Sequence, residues 1–496
     1  PVDGDWEGVQ SVAVRMDGTV KAYDVTPTTA DNTSATLTST DPHYWTNHDD
    51  ITVTAWWPYT EGETTPPAVV VRADQSSPTD FEGSDFISAE NQPVSYGNPT
   101  LRFTHRTARV TVVLTDYTEG MASVKLTGLS TENGNPAEIA PYDKGGDTYT
   151  ALVAPQSVAT GTTFITCAFT NGKVFVYKMK EATDWQAGEE YTYTVSLAAA
   201  KDPGYTVSED GKTYEVYNAE GLKNIAELVN EEWKSDINIT LTNNIDLTGI
   251  DWTPIGKDDN KAYTGTFDGN GKTITGLTVT RSNRYTGLFG FIKGTVKNVV
   301  LTEVNITSGT FVGGVAGWSF GGNIENCSVS GSVSGSSGSD VGGVVGYQQV
   351  GSITGCSSSA TVKGTERAGG VVGVTNGGTT PLTACYATGN VTVENDGTSN
   401  AWAGGIVGMN GTGTLIACYA AGNVSGNIVG GAVGVNYATV TACYWSGLPD
   451  NDNGGATKVD GTTVTWQNAV DAMNNALNGS GWQYELTGAL PTLKKQ

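Results

Sequence analysis

From Thr286 onward, one arrangement of apolar and small residues recurs six times: TGLFGF (from Thr286), VGGVAGW (Val312), VGGVVGY (Val341), AGGVVGV (Ala368), AGGIVGM (Ala403) and VGGAVGV (Val429). Marked at Gly287, Gly314, Gly343, Gly370, Gly405 and Gly431, the steps are 27, 29, 27, 35 and 26 residues, and the long step carries an insertion with Glu394, Asn395, Asp396 and Gly397. A cysteine follows each later mark by 12 to 15 residues (Cys327, Cys356, Cys385, Cys418 and Cys443), with Val299 in its place in the opening repeat. Beyond each cysteine, small and apolar residues fall at every second position, as in Cys327, Val329, Gly331 and Val333. Period two is a strand with one inward face. The outer face carries Ser328, Ser357, Tyr386, Tyr419 and Tyr444, types suited to water. Ile324, Ile353, Leu382, Leu415 and Val440 break the alternation upstream, which implies a bulge or corner. Repeats of this length stack because one unit cannot bury its own apolar face. The pattern predicts a parallel β-helix over 264–447 with three short strands per turn and a column of cysteines. The glycines are expected to give positive φ at corners and close approach between walls.

Two segments read at helical spacing. In NAEGLKNIAELVNEEW, Leu222, Ile225, Ala226, Val229 and Trp233 share a face behind a candidate N-cap at Asn218, predicting a helix over 218–233. In WQNAVDAMNNALNGSGW, Ala469, Met473, Ala476 and Leu477 predict another over 466–477. An open stack exposes unpaired strand edges, so both are expected to cap the solenoid ends, within a linker and cap region 201–263 and a C-terminal cap 448–496.

Before the KDPGY linker at Lys201, the chain alternates in the β manner. SVAVRM (from Ser11), ATLTST (Ala35) and ITVTAWWPY (Ile51) lie in a region 1–97, and six further strand patterns lie in 98–200. Asn171-Gly172 between CAFT and KVFVY predicts a hairpin. The first region reads as a β-domain and the six strands of the second suit a sandwich, which makes the whole chain all-β.

Length and charge narrow the field. A chain of 496 residues needs several cores. Its 65 glycines, 16% charged residues and formal charge of −24 fit a turn-rich β protein and argue against nucleic acid or anionic membrane as partner. No apolar run of about 20 residues is present to span a bilayer as a helix. The start at Pro1, without methionine, leads us to expect a trimmed chain. Stacked coils set equivalent Cβ atoms further apart than disulfide geometry favours, so the cysteines are expected to be buried thiols.

ITVTAWWPY, ADQSS (Ala73–Ser77), SDFISA (Ser84–Ala89), LRFTHRTARVTVVL with its Phe-x-His at His105, and GEEYTYTVSL, in this order, resemble the fimbrillin-like surface proteins of Bacteroidetes over roughly residues 1 to 200. The resemblance implies two transthyretin-like sandwich lobes, export as an outer-membrane lipoprotein, a role in adhesion or fimbria-like assembly, and a structural place for His105. GTFDGNGKTITGLTV (from Gly265), TGLFG and GTVKNVVL resemble the GLUG-repeat proteins as far as about residue 447. That resemblance implies a cell-surface solenoid.

Candidate chemistry is sparse. Glycoside cleavage ordinarily needs two carboxylates across one groove, yet from Gly309 to Gly447 the charged residues are Glu325, Asp340, Lys363, Glu366, Arg367, Glu394 and Asp396. Glu394 and Asp396 share the insertion. His43, His48, Asp49 and Asp50 read as a polar loop without ligand spacing. Asp450, Asp452 and Gly454 look like a calcium loop that lacks its distant glutamate, and Asp258, Asp259, Asp268 and Asn270 read as turn residues. We therefore expect no metal, no cofactor and no catalytic residue.

Surface aromatics remain: Tyr386, Tyr419 and Tyr444 in one column, Trp318 and Tyr347 in another beside Trp402, with Trp445 inward. Such ladders stack on sugar faces, anchor a protein partner, or stack on one another. The expected function is that of a non-enzymatic surface adhesin whose partner is a host or bacterial surface glycan or protein. The alternatives are a carbohydrate-binding or polysaccharide-degrading surface protein, and an accessory or tip subunit that meets other fimbrial subunits.

Overall fold

The computed structural model describes residues 2–28, 30–281, 283–307, 309–336, 338–394 and 401–496. Asn395, Asp396 and Gly397 of the long step, and with them the candidate pair Glu394–Asp396, fall outside these residues. The chain divides into two units, Pro1–Lys201 and Asp202–Gln496.

In the first unit, a six-stranded antiparallel sheet runs in the order Ala35–Thr38, Thr19–Pro27, Ser11–Met16, Ile51–Trp57, Ile87–Val94, Thr104–His105. Val12, Val14, Val53, Ala55 and Val94 form its core. A second core, around Val110, Val112, Phe164, Ile165 and Trp185, lies among sheets of four, three and two strands. There Glu190–Ser196 runs parallel to Ala108–Thr115. The predicted hairpin joins Thr163–Phe169 to Val174–Lys178, with Gly172 at φ +85°. His105 Nδ1 lies 2.8 Å from the fully buried Asp85 carboxylate, which also accepts from Thr107 Oγ1 and Phe86 N.

The second unit is a parallel β-solenoid of about eight turns. Each full turn has four strand positions, where three were expected. They are typified by Phe311–Gly313 on the first wall, Ala316–Phe320 on the second, Asn323–Glu325 on the third and Ser328–Ser334 on the fourth. Every wall pairs in parallel register with the next turn. The glycine pairs divide one apolar run into two strands. A Cβ on Gly342 would lie 1.9 Å from the Val345 carbonyl oxygen, and one on Gly369 2.0 Å from that of Val372, so only glycine lets the chain fold back this tightly.

These glycines do not adopt positive φ, contrary to expectation. The left-handed corner sits one residue before the cysteine, at Asn298, Asn326, Gly355, Ala384, Ala417 and Ala442, with φ from 50° to 65°. It accounts for the break in alternation. The cysteines stand on successive coils: Ser357 N donates to Cys327 O, Tyr386 N to Cys356 O, Tyr419 N to Cys385 O and Tyr444 N to Cys418 O. All five are free thiols in the core with Ile324, Val329 and Val333. Burial pushes the thiols of Cys356, Cys385, Cys418 and Cys443 well above their ordinary pKa.

The N-terminal helix spans Ala219–Asn230, capped by Asn218, whose side chain accepts from Gly221 N. Leu222, Ile225 and Val229 join the solenoid core. Trp233 departs from the expectation: the helix ends before it, and it stands exposed with the Lys261 ammonium 3.3 Å from its ring centroid. At the other end, the helix Trp466–Ala476 does not close the stack. The loop before it does. Asp452 Oδ1 accepts from Ala432 N and Val433 N at 2.9 and 2.7 Å, while Oδ2 accepts from Gly454 N and Ala456 N. The helix and the hairpin Trp482–Glu485/Thr492–Lys495 lie instead along the flank, packed on Ala384, Ala417 and Tyr419.

Candidate recognition surface

The tyrosine column is covered by this flank segment. Tyr386 and Tyr419 stack at 4.9 Å and 2°, but Tyr419 is only 1% exposed. Its hydroxyl donates to Pro491 O at 2.6 Å, and its ring meets Trp466 and Tyr484 edge-on. Tyr386 and Tyr444 are half-buried against the same cluster. Tyr419 therefore leaves the set of candidate ligand contacts. Strand alternation shows which side chains leave the inner face, but not whether a segment distant in sequence covers them. Trp445 is core, as expected, and its indole Nε1–H donates to Pro449 O.

The other column faces outward where the first and second walls meet. On the second wall Phe291, Trp318 and Tyr347 stack, at 6.0 Å and 9° and then at 4.1 Å and 17°. On the first wall Tyr285 stacks with Phe311 at 5.6 Å. The two walls touch through Phe311 and Trp318, ring centroids 4.5 Å apart and near perpendicular. Ring faces are thus largely spent on one another, leaving edges outward. Register continues the first wall through Asp340, Arg367, Trp402 and Ile428, and the second through Val374, Met409 and Val435. The result is an outward strip of mainly apolar residues, interrupted by one ion pair. Among the described residues no ring stacks on Trp402.

The members of that ion pair lie 27 residues apart, each just before its repeat segment, and the stacking register brings them together. Arg367 Nε lies 2.5 Å from Asp340 Oδ1, and Arg367 Nη2 lies 3.0 Å from Glu366 Oε2. Asp340 is 1% exposed, and burial raises its carboxyl to about 7 despite the guanidinium. Its Oδ2 has no hydrogen-bond partner, nor does Trp318 Nε1.

Elsewhere several of the solenoid's carboxylates are engaged, Glu325 with Lys495 and Glu394 with Lys363. Asp450 pairs with Lys458, and Asp452 serves as the end cap described above. Among the described residues no group of three or more His, Cys, Asp or Glu side chains is arranged to hold a metal. No helix among them is long and apolar enough to cross a membrane.

A sheet-built first unit followed by a capped solenoid with an outward aromatic strip defines a modular all-β chain that presents a long surface. Residues 2–209 match the model of the fimbrillin-like family, and residues 308–334 and 337–363 each match the GLUG motif. The chain is 30% identical over 238 residues to Halomucin of Haloquadratum walsbyi, an alignment covering 43% of this chain but 3% of Halomucin. Among solved structures, a candidate immunoglobulin A1 protease from Bacteroides ovatus aligns over 58% of this chain and 94% of its own, at 18% identity and TM-score 0.46. A fimbrial protein from Bacteroides ovatus aligns over 41% of this chain and 47% of its own, at 16% identity and TM-score 0.25. Neither likeness is close enough to carry an activity to this chain. The family match supports a cell-surface role in adhesion or fimbrial assembly.

Proposed function

We propose that this is a non-enzymatic, lipid-anchored adhesin of an outer membrane, whose fimbrillin-like unit anchors or assembles it and whose solenoid presents the recognition surface. The fimbrillin-like match over residues 2–209 carries the reading. The outward strip around Trp318 and Tyr347 gives the solenoid a place for a glycan or protein partner. The engaged carboxylates support recognition over turnover: one guanidinium binds both Asp340 and Glu366. Displaying the full chain on a non-adherent bacterium and probing arrays of glycans and matrix proteins tests it. Retention on a defined ligand is expected, and indifference to every ligand would refute the reading. The same family match favours, as a second reading, an accessory or tip fimbrial subunit. In that case the chain co-purifies with polymeric fibres and labels their ends or sides.

A further inference from the structure

Five buried side-chain polar atoms lack a hydrogen-bond partner among the described residues: Trp318 Nε1, Ser319 Oγ, Asp340 Oδ2, Gln348 Oε1 and Thr380 Oγ1. Ser319 and Gln348 alternate with Trp318 and Tyr347 and so lie on the inner side of the second wall. Trp318 and Asp340 belong to the outward strip. One offers a donor and the other an oxygen, both within a patch otherwise made of rings, aliphatic side chains and Arg367. Burying such groups unpaired is unfavourable, and folding rarely leaves them so without a use.

We propose that Asp340 and Arg367, flanked by Tyr347 and Trp402, form a subsite for one pyranose ring of a neutral glycan chain lying along the strip. This rests on the recognition reading above and adds the ligand class. A sugar ring presents C–H groups to aromatic and aliphatic side chains, and hydroxyls that both donate and accept. It can therefore pair with Trp318 Nε1–H and with Asp340 in either protonation state. Trp402, one rung beyond Arg367, is the strip's indole without a stacked ring among the described residues. Arg367 neutralises two carboxylates already, so the subsite has no surplus positive charge for an anionic sugar.

Length and edges agree. Six coils spaced about 4.8 Å apart span about 24 Å, enough for several linked sugars. The strands of both walls are paired with neighbouring coils, so an added peptide strand finds no free edge along the strip. Asp340 is shut off from water, whereas the Arg367 side chain is 26% exposed. Arg367 is accordingly the group that shifts to admit a hydroxyl.

The test uses the full chain and neutral hexasaccharides of the cello-, xylo-, manno-, malto- and chito- series, read by calorimetry and tryptophan fluorescence. Saturable binding to at least one series is expected, weakened at least tenfold by W402A and by D340N, and several-fold by R367K, which keeps the charge but loses the planar fork. W402A and R367K keep the test valid should D340N disturb folding, and thermal melts confirm each fold. Binding that none of the three alters overturns the subsite, as does binding confined to polygalacturonate or heparin, or to proteins. A chain that binds no hexasaccharide yet still adheres to matrix or cells overturns the glycan class and leaves the adhesin reading standing. Loss of all adhesion refutes that reading itself, and release of shortened sugars refutes its non-enzymatic part.

Discussion

Trp482, in the flank hairpin, lies directly on Gly355, in the left-handed corner of a coil more than a hundred residues earlier. A Cβ built on Gly355 would stand 2.2 Å from the indole. Glycine is used here for space as well as for its φ of +65°. G355A should therefore both strain the corner and lift the hairpin, lowering stability by about 2 to 4 kcal/mol. Denaturant unfolding followed by tryptophan fluorescence measures it. A native-like midpoint would show that the flank segment does not bear on the coil.

The cysteine column was legible because burying one face of a strand forces period two, and Cys327, Val329 and Val333 obey it. The corner was legible only as a break in phase. Its conformation falls on Asn326, Ala384 and Ala417, since the modest cost of a left-handed non-glycine residue is outweighed by the packing around it. The fourth strand was hidden in a continuous apolar run, where the glycine pair marks a backbone fold and not a pause in burial. Tyr419 was misread because an outward side chain looks the same in sequence whether water or Pro491 meets it. Asp340 and Arg367 each stand just before a repeat segment, so the alignment already sets them on successive coils; the burial of Asp340 was not legible.

The five column thiols should be inert in the native chain. Cys356, Cys385 and Cys418 are fully buried, and each Sγ lies 3.5 to 3.7 Å from a carbonyl oxygen of the preceding coil. Thiolate is the reactive form, and burial suppresses it. Iodoacetamide should leave the native protein unlabelled and add to all six cysteines after unfolding. Labelling of a column cysteine in the folded state would show that the coils open.

Asp452 ties the last coil to its closing loop through four backbone N–H groups. D452A should free that edge, costing about 2 kcal/mol and accelerating hydrogen exchange chiefly over 428–436. Because the carboxylate is already saturated with donors, calcium or a chelator should leave the melting temperature unchanged. A calcium-dependent rise would restore the loop as a metal site.

Stability should also report on Asp340. Its carboxyl is raised to about 7 in the folded chain by burial, with Arg367 opposing the shift, against about 3.9 when unfolded. Between these values the folded chain holds a proton that the unfolded chain releases. The protonated carboxyl therefore contributes stability that is complete below about pH 4 and lost as pH rises through 7. D340N, which cannot ionise, removes this dependence. Urea unfolding of both proteins from pH 4 to 8 should show wild type losing stability relative to D340N as pH rises. If the difference runs the other way, the attraction of Arg367 for the ionised carboxylate exceeds the cost of burying it, and the ion pair is a clamp holding the strip together at neutral pH.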